Sequence, residues 1–448
     1  MTIDADELER ELRADITPED TKRISAILEE QPLPEVIRLV ERTSATRAAV
    51  LFRLLSKDRA LTVFEALDAA HQADLIGALH GDEVVGFFEE MDPDDRVTLL
   101  DELPAKVADE LLRGLTKDER EMTGTVLGYP KGSIGRRMSP EIAILRGDMT
   151  VGQAMDILHR KADTMETIYS LPIVNSTRKL VGMCSFRDLF RADPKVRLAS
   201  IMEEAFSANA NDDAEETARW LLALNYLGMP ITDDENRLVG LLTFDDAHEI
   251  VEDADTEDAA RGGGHEPLNQ PYLSTPLGKI VRSRIIWLLV LALSAILTVR
   301  VLDSFEDTLS KAVVLALFIP LLTGTGGNTG NQAATTVTRA IALGDVERRD
   351  ALRVAWREAR VGFFLGALLG TIGFILATAV YEFHIGLVIG LTLLAVCTMA
   401  ATVGGIMPII AKAVGADPAV FSNPFISTFC DATGLLIYFA IAKAILGI

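Results

Sequence analysis

The sequence predicts a multidomain membrane protein: an α-superhelical N domain, an α+β tandem module and an all-α transmembrane domain of five helices. Three observations carry this reading. An apolar residue returns every 12 positions early in the chain, a later segment repeats at an offset of 58, and five long apolar runs follow position 284.

Leu55, Leu67, Leu79, Met91, Leu103 and Leu115 mark the first repeat. Ser56, Asp68, His80, Asp92, Pro104 and Thr116 follow them, most of them suited to opening a helix. The same register supplies apolar pairs from Leu51-Phe52 to Leu111-Leu112. A two-turn helix and a tight turn, stacked six times, buries all of these on one side. An outer face is left for Glu89, Glu90, Asp94, Asp95, Asp101 and Glu102. This N domain is expected over residues 1–132.

In the second repeat, LPIVNSTRKLVGMCSFRD from Leu171 matches MPITDDENRLVGLLTFDD from Met229. Pro172 aligns with Pro230, Gly182 with Gly240, Ser185 with Thr243 and Asp188 with Asp246. Met138 and Met202 align at an offset of 64, so the first copy carries about six extra residues in its helical part. Each copy reads as strand, polar turn, strand, and a helix opened by a hydroxyl or carboxylate cap. The pair resembles tandem CBS domains, expected over 133–195 and 196–251. That resemblance implies a cleft for adenine nucleotide, with Asp188 and Asp246 at the positions that hold ribose hydroxyls.

Charge separates the halves. Residues 279–448 hold 13 basic and 10 acidic side chains, so the net −22 of the chain concentrates as −25 in the remainder. Nucleic acid and anionic headgroups are poor partners for such a polyanion, and cations are natural ones. The densest acids lie in a helical stretch with Asp245, Asp246, Glu249, Glu252, Asp253, Asp255, Glu257 and Asp258, which ends at the glycines 262–264. This connecting helix and its linker are expected over 245–278. Cys184, Cys397 and Cys430 show no CxxC spacing and suggest neither a disulfide framework nor a zinc site.

The apolar runs, about 285–302, 312–343, 361–381, 385–414 and 419–448, are each long enough to cross a hydrocarbon core of ~30 Å. They make up the transmembrane domain, 279–448. Basic residues gather before the first span and between the second and third, where Arg339, Arg348, Arg349, Arg353, Arg357 and Arg360 stand. The positive-inside rule then puts the N-terminus in the cytoplasm and the C-terminus outside a cytoplasmic membrane. The first 30 residues are charged and acidic, unlike a secretory leader.

Two stretches are too polar for plain spans. PLLTGTGGNTGNQAATT, from Pro320 to Thr336, combines glycine with Asn328, Asn331 and Gln332. Pro320 removes a helical hydrogen bond, and freed backbone at membrane depth is tolerated where it lines protein or water, so this stretch is expected to line a hydrated path. GADPAVFSNPFISTFCDATG puts Asp417 at the cytoplasmic end, Asn423 deeper, and Asp431 inside the last span. An unpaired carboxylate there costs ~3 kcal/mol on insertion scales, and such residues mark ion or proton pathways.

With both motifs quoted, the chain resembles the MgtE-type magnesium channels over essentially its whole length. The family's proline followed by TGGNxGxQ stands here as Pro320 and TGGNTGNQ, and its DPAxxSNPxxxTxxDxTG stands as DPAVFSNPFISTFCDATG. The resemblance implies a homodimer with one central pore, in which Asp431 of each subunit holds a hydrated Mg2+. Asn423, Asn331, Gly327 and Asn328 would line the same path, and Asp417 its cytoplasmic mouth. It further implies that the acidic helix is a plug, closed when cytosolic Mg2+ bridges it to the N domain and the CBS pair. The implied sensor carboxylates are Asp95, Asp213, Glu215, Asp246, Glu249, Glu257 and Asp258. Thr62, Thr98, Asn225 and Ala254 depart from positions where family members can carry carboxylates. Adenine nucleotide, ATP in particular, is implied at Tyr169, Arg187, Asp188 and Tyr226.

The chemistry of the residues agrees with the implied cargo. Mg2+ prefers oxygen ligands and gives up water reluctantly, which suits carboxylates, amides and carbonyls. A divalent ion gains ~4.6 kcal/mol per 100 mV of inside-negative potential, so no enzymatic step is required. An intramembrane metalloprotease would need HExxH on a span, and the HE pairs at His248 and His265 lie outside the spans and lack the second histidine. A proton-coupled divalent cation carrier is the alternative, with Asp431 as the proton site.

Overall fold

The computed structural model describes residues 18–79, 81–268, 272, 275–414 and 423–447. The chain divides into two compact bodies, residues up to 254 with 269–275, and residues 255–268 with 276–448.

The first body opens with helices Pro18–Glu30 and Leu33–Glu41. Helices then follow at the 12-residue step: Ala45–Leu54, Lys57–Glu65, Ala69–Ala78, Gly81–Glu90, Pro93–Glu102, Ala105–Gly114 and Lys117–Leu127. Each runs nine to eleven residues, nearly three turns where two were expected, because the apolar pair ends one helix and the next begins two or three residues later. Leu51, Phe52, Phe64, Leu75, Leu99, Leu100 and Leu111 form the shared core. A second period, of 24 residues, ties the helices in successive pairs, each to the next in the chain. Gln72 Nε2 donates to the Phe64 carbonyl (2.9 Å), Arg96 Nε to Phe88 (2.8 Å) and Arg120 Nε to Leu112 (2.8 Å), each satisfying carbonyls that a helix end leaves open. One outer-face expectation fails here: Asp94 is buried, because the helix Pro93–Glu102 turns its first acid inward.

Two three-stranded sheets follow. β1 (Leu145–Arg146), β2 (Ser170–Val174) and β3 (Leu180–Ser185) make one, and β4 (Ala208–Asn209), β5 (Gly228–Thr232) and β6 (Leu238–Thr243) the other. In both, the first strand pairs parallel and the last antiparallel to the middle one, with Pro172 opposite Met183 and Pro230 opposite Leu241. The leading segments are exchanged. Ile134 and Met138 pack in one core with Met229 and Leu242 of the second copy, while Met183 bridges to Glu203. The close contact requires glycine: a Cβ at Gly240 would lie 2.9 Å from the Ser139 carbonyl oxygen, and one at Gly182 would lie 2.8 Å from that of Glu203. The N-terminal part of the segment expected as the first CBS copy therefore completes the core of the second.

The connecting helix runs from Phe244 to Gly262. Among the described residues of the second body five helices are long and apolar enough to cross a membrane: Leu277–Ser304, Val313–Ala342, Arg348–Val380, Phe383–Ala413 and Pro424–Leu446. The first and third begin 8 and 13 residues before the apolar runs that signalled them, since the helix continues through the flanking arginines. Third and fourth spans meet through glycine, where a Cβ at Gly370 would stand 2.5 Å from the Gly390 carbonyl oxygen. Such approach is how helices gain contact in lipid.

The second span corrects an expectation. Val313–Phe318 is a 3-10 turn capped by Tyr438, whose hydroxyl donates to the Leu315 carbonyl (2.9 Å), and an unbroken α-helix runs from Ile319 to Ala342. Pro320 therefore sits in a first turn, where its missing N–H is harmless. No backbone is freed by it, and the glycines that follow are helical.

Candidate functional site

The second span has two faces. Gly326, Gly327, Gly330, Ala333 and Ala334 are buried, whereas Gly324, Asn328, Gln332, Thr335 and Thr336 are exposed, a polar stripe that this chain leaves uncovered. Glycine there serves close packing: a Cβ at Gly330 would lie 3.0 Å from both Cys430 Sγ and Ile426 Cγ2 of the fifth span. Polarity comes from side-chain amides. Gly327 faces Ser427, whose Oγ accepts from Asn331 Nδ2 at 2.8 Å.

Asp431 lies half-buried two turns into the fifth span, Asn423–Leu446, and no charged or hydrogen-bonding side chain engages it among the described residues. Asn423 opens that helix. Asp417 lies outside the described residues.

The acids outside the apolar helices divide by body. In the first, Asp95 on the helix Pro93–Glu102 meets Asp246 and Glu249 of the connecting helix. Burial and then the repulsion of these two push the Asp95 carboxyl up to about 7. Glu166, just before β2, is pushed up to about 8, by burial first and then by Asp92 and Asp246. Burial also raises Asp94 well above the usual carboxylate range, with Asp246 and Asp95 adding to it. Asp94 Oδ1 is buried without a hydrogen-bond partner among the described residues. Arg137 answers part of this charge, at 3.2 Å from Glu249 Oε1 and 3.5 Å from Asp253 Oδ2. The acids approach one another without three of them closing into a ready inner-sphere cage among the described residues.

Among the described residues no hydrogen bond or ion pair brings Asp213 or Glu215 to this cluster. Asp213 caps the helix Ala214–Leu224, accepting from the Glu216 N–H (2.9 Å), and Glu215 pairs with Arg219 (2.8 Å). In the second body Glu257 pairs with Arg261, and Asp258 follows it on the helix. Asp255 is 3.4 Å from Arg339 at the end of the second span. Sequence reasoning missed Asp94, Glu166, Arg137 and Ser427. A strong basic residue heading the tandem module, in GRRMSP, was the available signal for Arg137.

Of the nucleotide candidates, Tyr169, Arg187 and Asp188 stand at the ends of β2 and β3 of the first sheet, and Tyr226 just before β5 of the second. Tyr169 and Tyr226 are exposed at 60% and 43%, large for aromatic rings. The Phe186 N–H donates to the Tyr169 carbonyl (3.2 Å), which sets Arg187 and Asp188 beside it. A Cβ at Gly228 would lie 3.0 Å from Ser170 Cβ, so the segments after the two tyrosines touch. Asp188 accepts from Ser185 Oγ (2.5 Å) and N–H (3.0 Å), bonds that hold its carboxyl below the usual range, helped by Arg187 and Arg191.

Comparison with known proteins matches three family models along the chain: MgtE intracellular N domain over residues 31–132, CBS domain over 132–195, and divalent cation transporter over 319–441. A magnesium transporter of Thermus thermophilus is 34% identical over 437 residues, covering 95% of this chain and 96% of its own. The chain belongs to the MgtE family of magnesium transporters. A Bacillus subtilis relative is 30% identical over 360 residues, 79% of this chain and 78% of its own. Among solved structures, the cytosolic domain of the Mg2+ channel MgtE in complex with ATP is 29% identical, with a TM-score of 0.50, covering 55% of this chain and 99% of that one. The helical N domain, CBS pair and five apolar helices of this chain are thus the family's architecture.

Proposed function

We propose that this chain forms a homodimeric magnesium channel of the cytoplasmic membrane, with its N-terminus in the cytoplasm, that admits Mg2+ down its electrochemical gradient. The observation that carries the reading is the unpartnered Asp431 carboxylate inside an apolar span, packed against a span whose uncovered face is amide and hydroxyl. Two such carboxylates facing one another on a dimer axis would repel, and a hydrated divalent cation relieves that better than a monovalent one. Asn423, Asn328 and Asn331, with Gly327 giving room, supply oxygen to the same path, and Asp417 its mouth.

Gating belongs to the acids of the first body. Asp95, Asp246 and Glu249 already repel, and the orphaned Asp94 oxygen fits a site built for a cation. Cytosolic Mg2+ there would hold the connecting helix closed, and Asp213, Glu215, Glu257 and Asp258 are the acids proposed for further Mg2+. The cleft between the CBS copies fits adenine nucleotide: exposed Tyr169 of the first copy and Tyr226 of the second for the base, an ionised Asp188 for ribose hydroxyls and the exposed Arg187 for phosphate.

Asp431→Asn keeps shape and removes charge. In liposomes holding the purified chain it should abolish Mg2+ flux or admit Na+ and K+, and wild-type conductance and selectivity in this variant would take the carboxylate out of the mechanism. A proton-coupled carrier predicts instead that wild-type flux follows an imposed pH gradient at zero potential.

A further inference from the structure

Ser427 stands one helical turn before Asp431, at the crossing of the fifth span with the second. Asn331 Nδ2 donates to its Oγ over 2.8 Å. Gly327, one turn from Asn331, makes the approach possible, since a Cβ there would lie 3.2 Å from Ser427 Oγ and 3.5 Å from Ser427 Cα. Asn331 and Ser427 both occupy positions that the two sequence motifs leave open, so the motifs themselves do not require this bond.

The bond decides which end of the amide is free. Thr428 and Thr433 of the same helix donate to the carbonyls of Pro424 (2.9 Å) and Phe429 (2.7 Å), four residues back. That is a common state of a helical hydroxyl, and Ser427 Oγ acts as the acceptor toward Asn331. Asn331 then turns its NH2 to Ser427 and its oxygen away. Oδ1 is buried and meets no donor among the described residues. A desolvated acceptor left in this way is rare in folded proteins, where buried polar atoms nearly always find a partner.

Water bound to a divalent cation points its hydrogens outward, so a path for a hydrated ion needs acceptors on its wall. A flipped amide would present two donors instead. We infer that Ser427 is a positioning residue that determines specificity: it holds the Asn331 amide so that Oδ1 accepts from an inner-shell water of a hydrated divalent cation, one turn from Asp431 toward Asn423. The inference rests on the reading of Asp431 as the ion site.

Hexaamminecobalt(III) tests it apart from transport, because its six ammine ligands point N–H outward in the same octahedral pattern and do not exchange. Its binding to the purified full chain, measured calorimetrically and assigned to the path by its loss in Asp431→Asn, should weaken about tenfold in Ser427→Ala, the worth of one hydrogen bond. Ser427→Thr, which keeps the hydroxyl, should restore it, and Ser427→Ala should add nothing in an Asn331→Ala background. Mg2+ influx into liposomes should show the same order as a raised KM with kcat little changed. Equal binding in Ser427→Ala and wild type overturns the inference, as does equal weakening in the alanine and threonine variants, which would mark a packing role. A wild-type chain that passes no Mg2+ would sink the channel reading instead, and the binding arm would still decide whether Ser427 sets the acceptor.

Discussion

The two CBS copies carry the same device and use it in opposite ways. In the first, Ser185 caps a helix and donates to Asp188 at 2.5 Å; in the second, Thr243 donates to Asp246 at 2.5 Å, at matching positions. Asp188 has Arg187 and Arg191 for neighbours, and the Ser185 bond keeps its carboxyl ionised. Asp246 has Asp245 beside it and faces the N domain, and burial raises its carboxyl despite the same hydroxyl bond. A capping hydrogen bond is a local gift of the fold; what covers the carboxylate decides its chemistry. One copy is thereby suited to an anionic ligand carrying hydroxyls, and the other to a cation.

The largest expected effect tests the part of the comparison that should be equal. Gly182 and Gly240 stand at equivalent places, each pressed against a carbonyl oxygen of the exchanged leading segment. Alanine at either should cost about 1–3 kcal/mol by overpacking. Thermal unfolding of the purified chain should show similar losses for both variants. A large loss at one and none at the other would mean that the copies are not equivalent in packing, and the electrostatic contrast would lose its baseline.

A smaller effect separates the copies by pH. Asp95 and Glu166 are raised to about 7 and about 8, so the folded chain keeps protons that the unfolded chain releases near pH 4. Their contribution therefore falls as pH rises from about 5 to 8. Asp188 is depressed, so its contribution is present throughout that window and is lost only in stronger acid. With a chelator present, hydrogen-exchange protection over Pro93–Glu102, corrected for the base-catalysed intrinsic rate, should fall between pH 5.5 and 8.5 while that of Phe186–Arg191 stays unchanged. Millimolar Mg2+ should flatten the first response and slow proteolysis of the connecting helix. Identical cleavage with chelator and with Mg2+ would end the sensor reading.

How far the sequence foretold this varies with the distance over which each feature is decided. The 12-residue helices and the paired strands were legible, because period and turn chemistry are local. The exchange of Met138 and Met202 was not, since an alignment at an offset of 64 says that two methionines are equivalent without saying which sheet each joins. Pro320 was read as a break because its role depends on where the helix begins, and no side-chain cap in the local sequence marks the start at Ile319. DPDD at 92–95 looks the same whichever carboxylate turns inward; packing chose Asp94. Asp431 was legible because a lone acid among apolar residues is rare, whereas the Asn331–Ser427 bond joins residues 96 apart.

The smallest expected effect is also the sharpest test of the comparison, because it predicts opposite signs for one substitution. Asp188→Asn removes a charge that the fold holds ionised with hydroxyl, amide and two arginines nearby. It should lower stability by about 1 kcal/mol, the worth of a helix cap, and weaken ATP binding at the first copy. Asp246→Asn removes a charge that burial already disfavours, and it also lightens the load on Asp95 and Glu166. At pH 8 without divalent cations it should leave the chain as stable as wild type or slightly more so, a sign that a lost cap alone cannot give. Adding Mg2+ should reverse the ranking, since wild type gains a bound cation that the asparagine variant holds less well, and binding to the folded state adds stability by mass action. Melting curves of the two variants, each with chelator and with Mg2+, read all four terms. If both variants lose stability equally in chelator and Mg2+ changes neither difference, the two carboxylates are simple caps, and the contrast between an anion-facing and a cation-facing copy falls.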